Sequence, residues 1–497
     1  MTGFTETVAK AYAFEGAALD LGRGVHDGKL EQGAVVRLPL ATSNRHGLIA
    51  GATGTGKTRT LQLLAEQLSE AGVSVFAADY KGDVSGLGVP GPAEGKAAER
   101  MADLGLTHEP SSYPAELLSL GGIGPGAPVR ASVTDFGPQL LAKVLGSNET
   151  QESSLALVFR YADERGLALV DLADLRALLA FLESKEGKED LTGIGGVSKQ
   201  TIGVLLRSLV QLEDGGGTEF FGEPQFEIAD LLRTAPDGRG VISLLELAAV
   251  QEKPRLFSTV LMWMLAELFE QLPEVGDLGK PKLVFFFDEA HLLFDDATDA
   301  FMEAVERTVR MIRSKGVGVF FVTQHPTDIP SSVLAQLGNR VQHALRAFTP
   351  NDADALRKTV KTYPTSELYD LEQLLTTLGI GEAAVTVLDE KGVPTPVVHT
   401  RLRAPRASME PAPDLDATAK ASPLWAKYGT RLERESAAEA LAKRVEAAPA
   451  PEAKPTPAKK APPAPTDPLT DFMTSRQGKA LQKEIVRGVF GMLRKRL

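Results

Sequence analysis

Apolar residues in this chain fall into two kinds of run, and the way these alternate sets the expected fold. Short unbroken runs occur at His46 to Ala50, Val73 to Asp79, Gly240 to Leu247, Leu283 to Phe287 and Val317 to Thr323. Runs of this length without polar interruption suit strands buried on both faces of a parallel sheet. Ala34 to Leu38 and Val341 to Phe348 read as further strands. Ala384 to Leu388 with Val393 to His399 reads as a hairpin turning at Glu390-Lys391-Gly392. Between the strands lie longer segments with helical spacing, at Thr58 to Ala71, 254–272 and 298–314. Strands alternating with helices predict an α/β, doubly wound, mainly parallel sheet.

The pattern changes over 85–239. Gly/Pro turns come first, then helical periodicity at Pro138 to Leu145, Glu152 to Arg165, Leu172 to Ser184 and Ser198 to Leu212. This segment reads as a mostly helical insertion, longer than a crossover requires. It divides the core into 46–84 and 240–400, with 1–45 as a lead-in. Residues 401–468 read as an irregular strap, a charged helix at Arg431 to Ala448, and a linker with eight prolines from Pro449 to Pro468. At its extended rise such a linker spans roughly 60 Å. In 469–497, Leu481, Ile485, Val489 and Leu493 form one apolar stripe on a basic helix from Asp471 to Leu497. That helix has three candidate seats: its own core, a neighbouring subunit or other protein, and a membrane or nucleic-acid surface. Docking on protein through the stripe is the expectation.

Composition narrows the class. With 497 residues and 43% hydrophobic content, the chain has room for two or three domains and a large core. It has no cysteine, which excludes disulfides, thiolate metal sites and a cysteine nucleophile. No apolar signal core opens the sequence, and no run of 18 uncharged apolar residues appears. A cytoplasmic protein without an integral membrane segment is expected. The net charge of −11 argues against coating by nucleic acid, but not against a local basic channel.

The densest chemistry lies in Gly51-Ala52-Thr53-Gly54-Thr55-Gly56-Lys57-Thr58, a G-x-x-x-x-G-K-T loop between a strand and a helix. Glycines allow successive N–H groups to face one anion, and the helix N-terminus favours negative charge. Lys57 is expected to reach the β- and γ-phosphates, and the Thr58 hydroxyl to hold Mg²⁺. A structural glycine turn is the alternative. The run Leu283 to Phe287 ends in Asp288-Glu289. Carboxylates there sit where open α/β sheets bind ligands. Asp288 is expected on Mg²⁺ and Glu289 on the attacking water, unless the pair only caps a helix.

Other residues are less specific. Gln324, after the strand ending at Thr323, fits a sensor of the γ-phosphate or a turn cap. Arg310 and Arg313 share a helix face; one fits an arginine finger for a neighbouring subunit, and both fit a solvated basic helix end. Arg346, on the Val341 to Phe348 strand, fits a phosphate contact or a buried ion pair. Asp79 and Lys81, after Val73 to Asp79, fit a supporting role near the phosphates or a turn. No N-K-x-D guanine-reading motif occurs, so ATP is favoured over GTP.

Together these segments resemble the HerA/FtsK group of RecA-like ATPases. The resemblance is carried by His46-x-x-Ile49-x-Gly51 through Thr58, by Phe287-Asp288-Glu289-Ala290-His291, and by Arg313-Ser314-Lys315-Gly316 followed by Thr323-Gln324-x-Pro326. More narrowly, Asp79-Tyr80-Lys81-Gly82-Asp83, Asn148 to Glu152, Lys280 to Phe294 and Ser475 to Lys479 are similar to the YjgR-like family of bacterial HerA-type proteins. The resemblance implies a RecA-like P-loop core, Mg²⁺-dependent ATP hydrolysis, a homo-oligomer of hexameric-ring type, and translocase or helicase-like action on DNA. It also implies Gln324 as sensor and Arg313 as the finger in trans. HerA proper has an N-terminal β-barrel that 45 residues cannot comfortably supply. A nucleotide-driven switch acting on a protein partner is the alternative function.

Overall fold

In the computed structural model one twelve-stranded sheet runs through the molecule. The structure describes residues 3–191, 195–276, 278–294 and 299–447. The strands are β1 (Ala18–His26), β2 (Lys29–Pro39), β3 (Gly47–Ala50), β4 (Ser74–Asp79), β5 (Ala115–Leu120), β6 (Ala127–Val129), β7 (Ile242–Glu246), β8 (Leu283–Phe287), β9 (Val317–Thr323), β10 (Asn339–Gln342), β11 (Glu382–Thr386) and β12 (Val398–Leu402). Their order is β2-β1-β12-β11-β10-β3-β9-β8-β4-β7-β5-β6. From β10 to β6 every neighbouring pair is parallel. From β2 to β10 every pair is antiparallel.

The unbroken apolar runs form the central strands, because both faces of the sheet are covered. Successive residues point to opposite faces. Leu283, Phe285 and Phe287 of β8 enter one core with Phe76, Phe321 and Trp263. Val284 and Phe286 enter the other with Ile49, Val75 and Val322. The aromatic side chains register across strands: Phe76 and Phe285 have ring centroids 4.6 Å apart, and Phe286 and Phe320 5.3 Å. Helix α1 (Phe4–Ala11) packs against β2, and α2 (Lys57–Glu70) connects β3 to β4.

Three segments depart from expectation. Residues 1–45, where one strand at Ala34 to Leu38 was expected, supply α1 and the long hairpin β1–β2. The turn is Asp27-Gly28, both at positive φ (48° and 72°), the backbone that two-residue hairpins of this twist require. The 85–239 segment does contain the helices Pro138–Val144, Glu149–Glu164, Leu172–Glu183 and Lys199–Leu212, packed on one face of the sheet. It also adds β5 and β6 to the sheet itself. Ala115-Glu-Leu-Leu-Ser-Leu is too short for its period to separate strand from helix, and Glu116 is satisfied by Arg233. Third, β10 ends at Gln342 rather than continuing to Phe348. The His343 N–H still bonds Ala50 O at 2.7 Å, but the next carbonyl, of Ala344, accepts from Ala52 N–H at 2.8 Å, so the ladder turns toward the loop after β3.

Beyond β12, where an irregular strap was expected, short helices form at Leu415–Ala421 and Pro423–Tyr428, and the charged helix expected from Arg431 is described from Ala437 to Ala447. The expected linker and final basic helix lie outside the described residues. Among the described residues no helix is long and apolar enough to cross a membrane.

Candidate functional site

The loop Gly51 to Gly56 leaves the carboxyl end of β3 and enters α2 at Lys57. Glycine is required where the chain turns: Gly54 and Gly56 lie at φ 79° and 118°, and a Cβ on Gly51 would come within 2.5 Å of the His343 Cβ. Thr53 and Gly54 are exposed, whereas Thr55 is buried and its hydroxyl donates to Ala52 O at 2.7 Å. The loop is anchored by Gly51 N–H to Thr323 O at 3.2 Å and Ala52 N–H to Ala344 O at 2.8 Å. Lys57 is buried, and its ammonium donates to Gly51 O at 2.7 Å and Ala52 O at 3.3 Å. Burial lowers its pKa, partly opposed by Glu289 and Asp288. An ammonium held on its own loop's carbonyls is available to a phosphate that competes for it. Thr58 lies in the first turn of α2 and is partly exposed.

The acidic pair ends β8, two strands away across β9. Asp288 is 2% exposed, and its Oδ2 has no hydrogen-bond partner. Burial, with Glu289 beside it, pushes its carboxyl up to about 7. Glu289 adopts φ 47°, ψ 49°, a left-handed backbone that is uncommon for a side chain of this size. Its Oε1 accepts from Lys81 Nζ at 2.5 Å, and His291 Nδ1 lies 3.4 Å from Oε2. Burial alone would raise the Glu289 carboxyl, but the Lys81 and Lys57 ammoniums bring it below its ordinary value.

Two neighbouring strands end in further acids. Asp79 accepts the N–H groups of Gly82, Asp83 and Val84 at 2.8, 3.2 and 2.8 Å, while burial pushes it up to about 6. Glu246, 2% exposed at the end of β7, is pushed up to about 8 by burial and by Asp79 and Asp83. Asp79, Asp83 and Asp288 each bring one carboxylate oxygen within 4.8 Å of the others. These are hard oxygen donors, and Asp83 Oδ1 and Asp288 Oδ2 are buried without a partner, so the residues present fit Mg²⁺. Asp288 is the member of this group expected on Mg²⁺, and Thr58 stands in the first turn of α2 after the loop.

Gln324 follows the last residue of β9 and is half-buried, between the strand that feeds the phosphate loop and the strand that carries Asp288. Arg313 is elsewhere. It lies in the turn Arg313–Lys315 before β9, at the opposite end of the sheet. The seven residues of β9 put about 20 Å between the two ends. There Arg313 borders a cavity of about 590 Å³ with Arg45, Arg310 and Arg340. Arg346 is not on a core strand: it is exposed in the loop after β10, in a cavity shared with Gly54 and Thr55. Neither a buried ion pair nor a strand position describes it.

Sequence reasoning missed His343, Asp83 and Glu246. His343 lies fully buried beneath the phosphate loop, its Nε2 2.8 Å from the Thr60 hydroxyl. The available signal was position, since all three stand at or just after the carboxyl ends of β10, β4 and β7.

A family model described as "Helicase HerA-like C-terminal" matches residues 25–495. The chain is 24% identical over 371 residues to the DNA double-strand break repair helicase HerA of Sulfolobus acidocaldarius, covering 70% of this chain and 64% of that protein. It therefore spans less than two thirds of that relative's length. Among solved structures, the bacterial conjugative coupling protein TrwBdeltaN70 aligns with a TM-score of 0.52 at 15% identity, covering 81% of this chain and 93% of that one. The plasmid coupling protein TrwB in complex with ADP and Mg²⁺ aligns with a TM-score of 0.50 at 16% identity, covering 80% and 99%. The fold is the RecA-like P-loop fold expected from the sequence.

Proposed function

Because this chain belongs to the HerA-like C-terminal helicase family, we propose that it hydrolyses ATP and couples hydrolysis to movement on DNA. One observation carries the hydrolytic half. The Glu289 carboxylate, kept ionised by Lys81 and Lys57, ends a strand two places from the phosphate loop. Loop N–H groups and Lys57 bind and orient the phosphates, and Glu289 takes the proton of the attacking water. Thr58 and Asp288 would hold Mg²⁺, which neutralises charge on the transferred phosphoryl group when bound. Gln324 senses the γ-phosphate from the end of β9.

Arg313 cannot serve its own subunit's phosphate loop from the far end of β9, so a finger role requires a second copy. The cavity it shares with Arg45, Arg310 and Arg340 supports that role, since these cations gather at the pole away from the loop. This reading requires a homo-oligomer, which we take to be of ring type, and the relative's name supports DNA as its track. The net charge of −11 favours the second reading, a nucleotide-driven remodeller of a protein partner. The two are separated by ATP hydrolysis measured with and without duplex DNA over a salt series. A motor on DNA shows stimulation that falls steeply with salt, as phosphate contacts release counterions. Turnover indifferent to DNA at every salt concentration selects the protein-directed reading.

A further inference from the structure

Among the described residues, the two most exposed large apolar side chains border the same cavity. Phe348 is 83% exposed and Ile380 74%. The cavity, about 460 Å³, is also lined by Arg346 and Leu378 and by Gly54 and Thr55 of the phosphate loop. Its walls are tied to that loop by two backbone hydrogen bonds: Ala52 N–H to Ala344 O at 2.8 Å and Gly381 N–H to Thr55 O at 3.0 Å. Arg100 holds the turn carrying Ile380, donating to Ile380 O at 2.8 Å and Gly381 O at 3.2 Å.

Phe348 directly precedes the cap residue Thr349 of the helix Pro350–Val360, and its N–H donates to Asp352 Oδ2 at 3.2 Å. An apolar side chain at that position commonly folds back onto its own helix. Here it does not: among the described residues the side chain stays exposed. A nucleotide gripped by the loop would carry a flat, largely apolar ring to this place. The volume falls within the range of about 300–1,000 Å³ found for small-molecule pockets, which combine apolar walls with a few polar groups.

We propose that this cavity seats the purine base of the nucleoside triphosphate held by the phosphate loop, with Phe348 and Ile380 as its apolar walls and Arg346 at its rim. The assignment rests on the phosphate-loop reading above. It makes Phe348 a residue of nucleotide affinity, remote from the bond that breaks. Stacking of a base on an aromatic ring is sequence-tolerant, and the arginine adds a planar cation beside it.

The test measures binding of a non-hydrolysable ATP analogue and of inorganic tripolyphosphate to the full chain. Phe348→Ala and Ile380→Ala are each expected to weaken the analogue about tenfold, with tripolyphosphate unaffected. Phe348→Trp should restore the analogue. Wild-type protein that binds tripolyphosphate as tightly as the analogue would overturn the base site while leaving the phosphate loop intact. Unchanged analogue affinity in both alanine variants would overturn it too, including where assembly mass changes and the patch proves to be a subunit contact. Wild-type protein that binds neither ligand would remove the loop reading and this one together.

Discussion

The Lys81 ammonium lies 2.5 Å from a carboxylate oxygen of Glu289, joining the turn after β4 to the end of β8. Lys81 is partly exposed and Glu289 is buried, so the pair places a cation at the solvent side of the carboxylate. It lowers the Glu289 pKa against the effect of burial. Replacing Lys81 by Met removes that support, and the Glu289 carboxyl then titrates higher. The acidic limb of the pH–rate profile for ATP hydrolysis should move to higher pH in Lys81→Met. A limb in the wild-type position would show that another group sets it.

Binding and chemistry should separate at two positions. Lys57→Ala loses charge-assisted contacts to phosphate, so nucleotide affinity should fall by about 10–100-fold. Glu289→Gln keeps shape and binding but cannot accept a proton, and kcat should fall by about 10²–10⁴. Equilibrium binding and single-turnover hydrolysis distinguish the two. Glu289→Gln protein turning over at the wild-type rate would remove the base assignment.

Arg313→Ala and Glu289→Gln protein should each be inactive alone, yet recover partial hydrolysis when mixed. A mixed assembly pairs an intact Glu289 site with an intact Arg313 from its neighbour. Titrating one variant into the other at fixed total concentration gives the measurement. No recovery at any ratio, in protein shown to be oligomeric, would count against action between subunits.

Acid stability should depend on two buried histidines. His46 Nε2 lies 2.7 Å from Val309 O and its Nδ1 accepts Val319 N–H at 3.0 Å, an arrangement that needs the neutral ring. Burial lowers both His46 and His343 from 6.5 to about 4. Unfolding therefore takes up protons between those values. Their contribution is complete above 6.5 and declines as pH falls toward 4, by on the order of 3 kcal/mol each at the lower end. Denaturant unfolding of wild type and His343→Gln across this window should show a shallower pH dependence in the variant.

Strands β3, β4, β7, β8 and β9 were readable because both of their faces are buried, which leaves an unbroken apolar run for each. Asp288 and Glu289 were placed by the same logic, since strand ends with polar residues are where open sheets bind ligands, and Lys57 by the G-x-x-x-x-G-K-T motif. β1 escaped because its Asp20, Gly22, Arg23 and Gly24 interrupt the apolar pattern. The Arg23 charge is answered within the strand by Asp20, at 2.9 Å. Arg346 was misplaced because Val341, Ala344, Leu345, Ala347 and Phe348 extend an apolar character past Gln342, while the Ala344 carbonyl is taken by the phosphate loop. Lys81 could be named only as a neighbour of the phosphates: its partner lies 208 positions away in sequence, and nothing local specifies it.

The separation of the phosphate loop and Arg313 along β9 bears on symmetry where Arg313 acts on a neighbouring copy. A two-fold pair would answer both of its sites at once, each Arg313 meeting the other copy's loop, whereas copies related by any other rotation meet through a heterologous contact. Such contacts leave an unmatched pole at each end of any open string of subunits. Every arginine finds a loop only when the string closes on itself, so an incomplete assembly would hold at least one site lacking its neighbour's cation.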